Sequence, residues 1–513
     1  MIKLFKYCWQ HPWIRVAARR ALWTLFTLVT AYFLLCAVIN WYGARRLKDA
    51  LALLAEEGET VDVQTLLPQP LNDAENYCAI EPLRDLAMGR NKEGPHRERI
   101  ERLLALQLPN SEDGKPRPPL PNPSRGQRTD LAAFNEWTRR HGWTLAPENN
   151  GNPAADLLKA LGKQDALFEE LSRGLERTKA NWTPEWTTRE LPKFQFYRDS
   201  GAEIVVAVFN SVLALRAVAA AQASDGVRAH QSALIMSRFA LASSHDPFGT
   251  SASWCLGLTQ SLCGIVWVLC DAQVGSAEDF SAMEKVLSEI DPQRIMLAVG
   301  RTETTELLNA VQMIRSGEGV LGRMYLSCDY FEDSIKLWKV LLMRAIPAGF
   351  FDTKVAIAAE LQLKHFIQPL RDESLRAALQ KTVQLDASLK TKGSGWSRTN
   401  NTKQLHNAVW IKAIVDQARI GCALERHRIE TGGYPESLDA LKMLDGSAPP
   451  MDVMSGKPML YRRIPGGKYA VWSVGFDCKD NNGKRGVARD KSKPVYHGRE
   501  GYQGDWVWDF PRQ

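Results

Sequence analysis

Ser244-His245-Asp246 holds the three residue types of a hydrolase triad, in which a serine oxygen attacks, an imidazole takes its proton and a carboxylate orients the ring. Three adjacent residues cannot converge in those roles, because triads are assembled from separated segments. The run reads instead as a turn that ends a helix. The nine histidines include no H-E-x-x-H and no i,i+4 pair, the spacing that sets two imidazoles on one helix face around zinc. His427, near Glu425 and Glu430, fits a charged helix face better than a ligand set. Ser455-Gly456-Lys457 ends in the Gly-Lys of a phosphate-binding loop but lacks the spacing of that loop and precedes a strand, and no Rossmann-type glycine run occurs. No residue is assigned a catalytic role on this reading.

The cysteines offer redox chemistry only if their positions allow pairing. Cys255, Cys263 and Cys270 recur at i, i+8 and i+15, which places them on one helix face with neighbours about 10–12 Å apart along the axis. A disulfide needs a Cα separation of roughly 6 Å, so these three read as small core residues. Cys78, Cys328, Cys422 and Cys478 are the remaining candidates in the outer portion, and no pairing among them follows from spacing.

The elements that position these residues begin with an anchor. From Ala21 to Ala44 the chain carries no charge, and these 24 positions span roughly 36 Å as a helix, enough to cross a bilayer core. Trp23 at one end and Trp41 with Tyr42 at the other suit the headgroup region. The apolar run exceeds the h-region of a cleaved signal and no A-x-A site follows, so residues 21–42 are expected to be an uncleaved transmembrane helix contacting the lipid bilayer. Lys3, Lys6, Arg15, Arg19 and Arg20 precede it, against Arg45, Arg46 and Lys48 after it. That bias puts residues 1–20 in the cytoplasm and the bulk of the chain outside. Once those five cations are set aside, the remaining Lys and Arg nearly balance the 58 acids, which argues against a nucleic-acid partner recognised through a broad basic surface.

Beyond the anchor, residues 43–200 read as irregular and helical, with a Pro-rich exposed linker at 109–124 and an aromatic-dense stretch at 181–197 that packs over a core. Residues 201–390 change to Ala, Leu and Val with helical spacing. Breaks near Ser224–Gly226, His245–Gly249 and Val274–Ser276 describe an array of helical hairpins resembling a repeat scaffold. The charge-free stretch 247–270 is diluted by Thr250, Ser251, Ser253, Thr259, Gln260 and Ser261, and reads as a buried helix rather than a second span. In 404–513 a long helix carries the stripe Ala408, Ile411, Val415, Ala418 and Cys422, and Pro435 opens a short second helix. Strands at 459–463 and 468–474 flank the turn 464–467, 505–510 alternates like a third strand, and 476–504 reads as a long surface loop. Helix and sheet are expected to form one α+β unit, with the Ala470, Trp472 and Val474 face of the second strand against the helix.

The segments GGYPESLDAL (432–441), SGKPMLYRR (455–463) and SVGFDCKDNNG (473–483) resemble the C-terminal globular part of type II secretion major pseudopilins. Together with the anchor and the long helical region, the chain also resembles uncharacterised membrane-anchored proteins of planctomycete and verrucomicrobial bacteria. The motifs cover only about residues 430–483, and the processed Gly-Phe-Thr-Leu-Ile-Glu segment of pseudopilins is absent here. The resemblance implies a bacterial inner-membrane location and a loop that can hold calcium, to which Asp477, Asp480 and Asp505 would contribute. Lys479, Lys484 and Arg485 lie in the same loop and oppose a dication, and an EF-hand register would need its first ligand at Cys478. An Asp/Asn turn is the favoured reading, and no other cofactor is implied.

The expectation is a mainly α protein: transmembrane helix, helical-hairpin outer region and a small pseudopilin-like α+β module. Its expected role is a scaffold that binds other envelope proteins in assembly or secretion. An envelope hydrolase with its site in the helical region is the alternative.

Overall fold

A computed structural model describes residues 12–66, 69, 71–88, 101, 103–109, 116–182, 201–245, 249–316, 345–391, 399–486 and 504–510. Its helices are α1 (Pro12–Glu56), α2 (Glu81–Met88), α3 (Leu131–Arg140), α4 (Pro153–Leu161), α5 (Asp165–Arg173), α6 (Gly201–Gln222), α7 (Gly226–Ser244) and α8 (Gly249–Ala272). There follow α9 (Ala277–Glu289), α10 (Pro292–Ser316), α11 (Ala348–Gln362), α12 (Leu375–Thr391) and α13 (Thr399–Thr431). Strands β1 (Leu460–Ile464), β2 (Lys468–Ser473) and β3 (Trp506–Trp508) form one antiparallel sheet in that order. The chain is thus mainly helical, with a long apolar helix near its N-terminus and a small sheet near its C-terminus.

Two compact units divide it, Met1–Thr65 with Arg301–Lys364, and Leu66–Gly300 with His365–Gln513. In the first, α1 runs unbroken from the apolar stretch through the following Leu- and Ala-rich turns. Leu47, Ala50 and Leu54 recur on its buried face. They lie where α1 packs along α11. Ion pairs fasten the polar end of the unit: Arg46 to Glu360 at 2.9 Å, Arg301 to Glu59 at 2.7 Å and Arg315 to Asp352 at 2.8 Å.

In the second unit, the expected breaks at Ser224–Gly226 and Val274–Ser276 each have their own turn chemistry, and residues 246–248 of the break at His245–Gly249 lie outside the described residues. Ser224 and Gln273 adopt left-handed backbone conformations, and Gly275 has a φ of +119°. Asp225 caps α7, and Ser276 and Asp279 form a reciprocal capping box on α9. Helices α6, α7 and α8 pack on one another, and α8 is a buried helix, as its diluted polarity suggests.

Three expectations are corrected. Residues 121–124 of the Pro-rich linker are not exposed: Pro121, Pro123 and Ser124 are buried, and the Pro121 carbonyl lies so close to Gly264 of α8 that a Cβ there would stand 2.6 Å from it. Proline is barred from ladders, not from packing. The expected helix after Pro435 is a single 3-10 turn, Leu438–Ala440, because Ser437 is extended and supplies no cap. The sheet also meets α13 with its other face. Tyr469 and Trp508 lie against Gly421, and the Gln417 amide donates to the Trp506 carbonyl at 2.6 Å. Ala470, Trp472 and Val507 form a separate cluster on the far face, with Leu460 and Ile464 packed on it.

Helix α13 is buried around more than the predicted stripe. Leu405, Val409, Trp410, Ala413, Ile414, Ile420 and Leu424 join it in the core, because α8, α9 and α12 pack on it as well as the sheet. The 404–513 segment therefore shares its core with helices from earlier in the chain. Most of the aromatic stretch 181–197, Asp246, Cys328 and most of the 476–504 loop lie outside the described residues; Trp182 is buried against Phe239.

Candidate functional site

Between Arg20 and Arg45, α1 shows its apolar side chains to the outside. Phe33 is 65% and Leu34 63% exposed, and none of the most apolar 18-residue stretch is buried. Five of its polar side chains are hydrogen-bonded within the protein. The hydroxyls of Thr24, Thr27 and Thr30 donate to the carbonyls of Arg20, Trp23 and Phe26, one turn back. The Tyr32 hydroxyl donates to the Ala345 carbonyl at 2.5 Å, and Asn40 Oδ1 accepts from the Gly349 N–H at 2.8 Å. Near these bonds two glycines allow backbone contact: a Cβ at Gly43 would stand 2.1 Å from the Gly349 carbonyl oxygen. Such a helix satisfies its own backbone and presents hydrocarbon, which suits a lipid surround.

The aspartates that the pseudopilin resemblance implied as calcium ligands, Asp477, Asp480 and Asp505, lie in and beside the C-terminal loop, where Asn481 bonds to both Asp477 and Asp505. Asp505 accepts from the backbone N–H of Asn481 at 3.1 Å and of Gly483 at 2.8 Å. Asp477 accepts from Lys479 N–H, from Gly504 N–H and from the Asn481 side chain. Asp480 accepts from Asn482 N–H at 2.8 Å and from the Trp472 indole at 3.1 Å. Burial raises the Asp505 carboxyl above its ordinary range, against the two backbone donors that lower it. Arg485 is bound to Asp509 and to the Pro123 carbonyl. The carboxylates thus serve as acceptors for the N–H groups of the turn. Among the described residues no group of three His, Cys, Asp or Glu is arranged to hold a metal ion.

A buried polar network around α13 went unrecognised in the sequence. Glu425 is fully buried, accepts from Tyr434 Oη at 2.6 Å and from Arg428 Nε at 2.7 Å, and Gln273 donates to the same tyrosine oxygen. Burial pushes the Glu425 carboxyl up, while the bonds from Tyr434 and Arg428 pull it down. Glu284 of α9 pairs with Arg426 at 2.6 Å and accepts from Leu444 N–H, and Asp416 pairs with Lys412 at 2.5 Å. Asp452 gathers the N–H groups of Met454, Ser455 and Val474 and the hydroxyls of Ser455 and Ser473. Tyr434 lies inside the first quoted motif segment and Asp452 just before the second, so both could have been singled out. Their burial partners, however, come from distant elements.

These groups tie elements together and do not assemble a nucleophile with a base. Ser244 Oγ donates to the Leu241 carbonyl, and His245 Nδ1 lies 3.2 Å from the Ala180 carbonyl with its pKa lowered by burial. The Cys255 thiol is pushed up to about 12 by burial, and burial likewise raises Cys78, Cys263, Cys270 and Cys422, so these sulfurs stay protonated. No protein-family model matches the chain, and neither a curated protein nor a solved structure is similar to it.

Proposed function

We propose that the chain is a single-pass envelope protein held in the bacterial inner membrane by residues 21–42, with residues 1–20 cytoplasmic and the rest outside. Its outer portion acts as a scaffold that binds other envelope proteins. The observation that carries this reading is the apolar stretch of α1, none of which is buried and which no described element covers over its first half. The scaffold role is supported by the buried carboxylates around α13, which are bound to side chains and backbone donors of neighbouring segments, and by the pseudopilin-like motifs. The hydrolase alternative needs a nucleophile beside a base, and Ser244 and His245 each spend a hydrogen bond on a backbone carbonyl.

A reporter that works only outside the cytoplasm, fused after Gln513, is expected to be active. Deleting residues 1–44 is expected to release a soluble product. Cytoplasmic reporter activity would overturn the orientation, and a deletion product that stays with membranes would overturn the single anchor. Co-purification of a stoichiometric envelope protein from detergent-solubilised membranes supports the scaffold role. A full-length protein that purifies alone and hydrolyses an ester or peptide overturns it.

A further inference from the structure

We infer that Ala345–Phe351 enters the outer leaflet of the bilayer beside the anchor, an inference that rests on α1 being a transmembrane helix. Tyr32 lies midway along the charge-free run Ala21–Ala44, and from Tyr32 onward one side of α1 is occupied by protein. The part that no described residue covers, from Ala21 to Thr30, is about 15 Å long, half of the roughly 30 Å that a span must cross. A crossing must therefore include the covered half, and whatever covers it goes in too.

The covering segment has the composition that lipid requires. Ala345-Ile346-Pro347-Ala348-Gly349-Phe350-Phe351 contains no polar side chain, and lies in the sequence between Arg344 and Asp352. Ala345 and Phe350 are exposed, Phe350 by 47%. Non-helical backbone in hydrocarbon must have its polar groups satisfied by protein. Pro347 has no N–H, its carbonyl accepts from Phe350 N–H, Tyr32 donates to the Ala345 carbonyl, and Asn40 accepts from Gly349 N–H. Two polar side chains of the apolar run are thus spent on this segment's backbone. Lys354, one turn on, places its ammonium 5.6 Å from the Phe350 ring centre, at the end where headgroups would begin.

The test uses the full chain with Cys8, Cys36, Cys328 and Cys478 changed to serine, reconstituted in phosphatidylethanolamine–phosphatidylglycerol vesicles. A nitroxide is attached at Phe350→Cys and, separately, at Ala345→Cys, with Phe33→Cys as the lipid reference and Val227→Cys as the aqueous one. The expected result is an oxygen-over-nickel-chelate accessibility ratio at 350 and 345 that matches position 33 and exceeds position 227. A ratio at 350 and 345 equal to that at 227, with position 33 still in lipid, overturns the inference and leaves the anchor standing. A water-like ratio at position 33 overturns both.

Discussion

Helices α1 and α8 are both long and apolar enough to cross a membrane, yet the relevant stretch of α1 is bare while that of α8 is 67% buried. The difference lies in what each offers to neighbours. Helix α8 carries small residues where other segments approach closely, Gly264 under the Pro121 carbonyl and Cys255 with its thiol on the Ala240 carbonyl, and its Trp267 indole donates to the Asp509 carbonyl. Helix α1 between Ala21 and Thr30 offers large side chains outward and turns its hydroxyls back on its own backbone. Apolar length sets what a helix can do, and its distribution of small and hydrogen-bonding groups decides which solvent it takes.

A charge placed in each helix breaks the comparison most sharply. Leu262→Asp puts a carboxylate among fully buried residues of α8 and is expected to cost more than about 4 kcal/mol, abolishing the cooperative melt of the detergent-solubilised chain. Leu34→Asp, on the exposed side of α1, is expected to leave that melt unchanged while weakening insertion by about 3 kcal/mol, read as a shift from the membrane to the soluble fraction. Equal melting losses in both variants would show that α1 is packed in protein.

The pH dependence of the second unit gives a smaller effect. Burial lowers the pKa of His230 and of His245 below the ordinary 6.5, so between the folded and unfolded values the unfolded chain binds more protons. Stability is then diminished in acid, rises as pH climbs through that window, and is complete above about 6.5. The midpoint of urea unfolding should climb from pH 5 to pH 7 and should climb less in a His230→Gln, His245→Gln double variant. Membrane partition through α1, whose apolar run holds no histidine or acid, should stay constant over the same range.

The smallest expected effect concerns the C-terminal loop. Millimolar calcium should leave the melting temperature of the full chain unchanged, because the oxygens of Asp477, Asp480 and Asp505 already accept from N–H groups. Lys484→Ala should be equally silent. A chelator-reversible rise in melting temperature would show that these donors yield to a cation.

What could be read from sequence was whatever depends on neighbours along the chain. The breaks at Ser224, His245 and Gly275, the hairpin at 464–467 and the apolar run of α1 are local in their causes. The orientation of the sheet was not, since both faces of β2 are apolar and alternation alone cannot say whether Tyr469 or Trp472 meets a helix. Nor was the burial of Glu425, which depends on Tyr434 reaching back across a turn and on Gln273 from the turn that follows α8. The Pro-rich segment misled because missing donors suggest exposure, whereas the close fit of Pro121 to Gly264 lies between residues far apart in sequence.

The packing of α8 against α13 has a further consequence for the order in which the chain is made. Helix α8 is synthesised long before α13, so the side that α13 covers stays open while α6 and α7 already pack on it. The second unit cannot close until nearly the whole polypeptide has been made, so premature termination before α13 would leave a product whose core helix α8 is open on one side, a target for proteases.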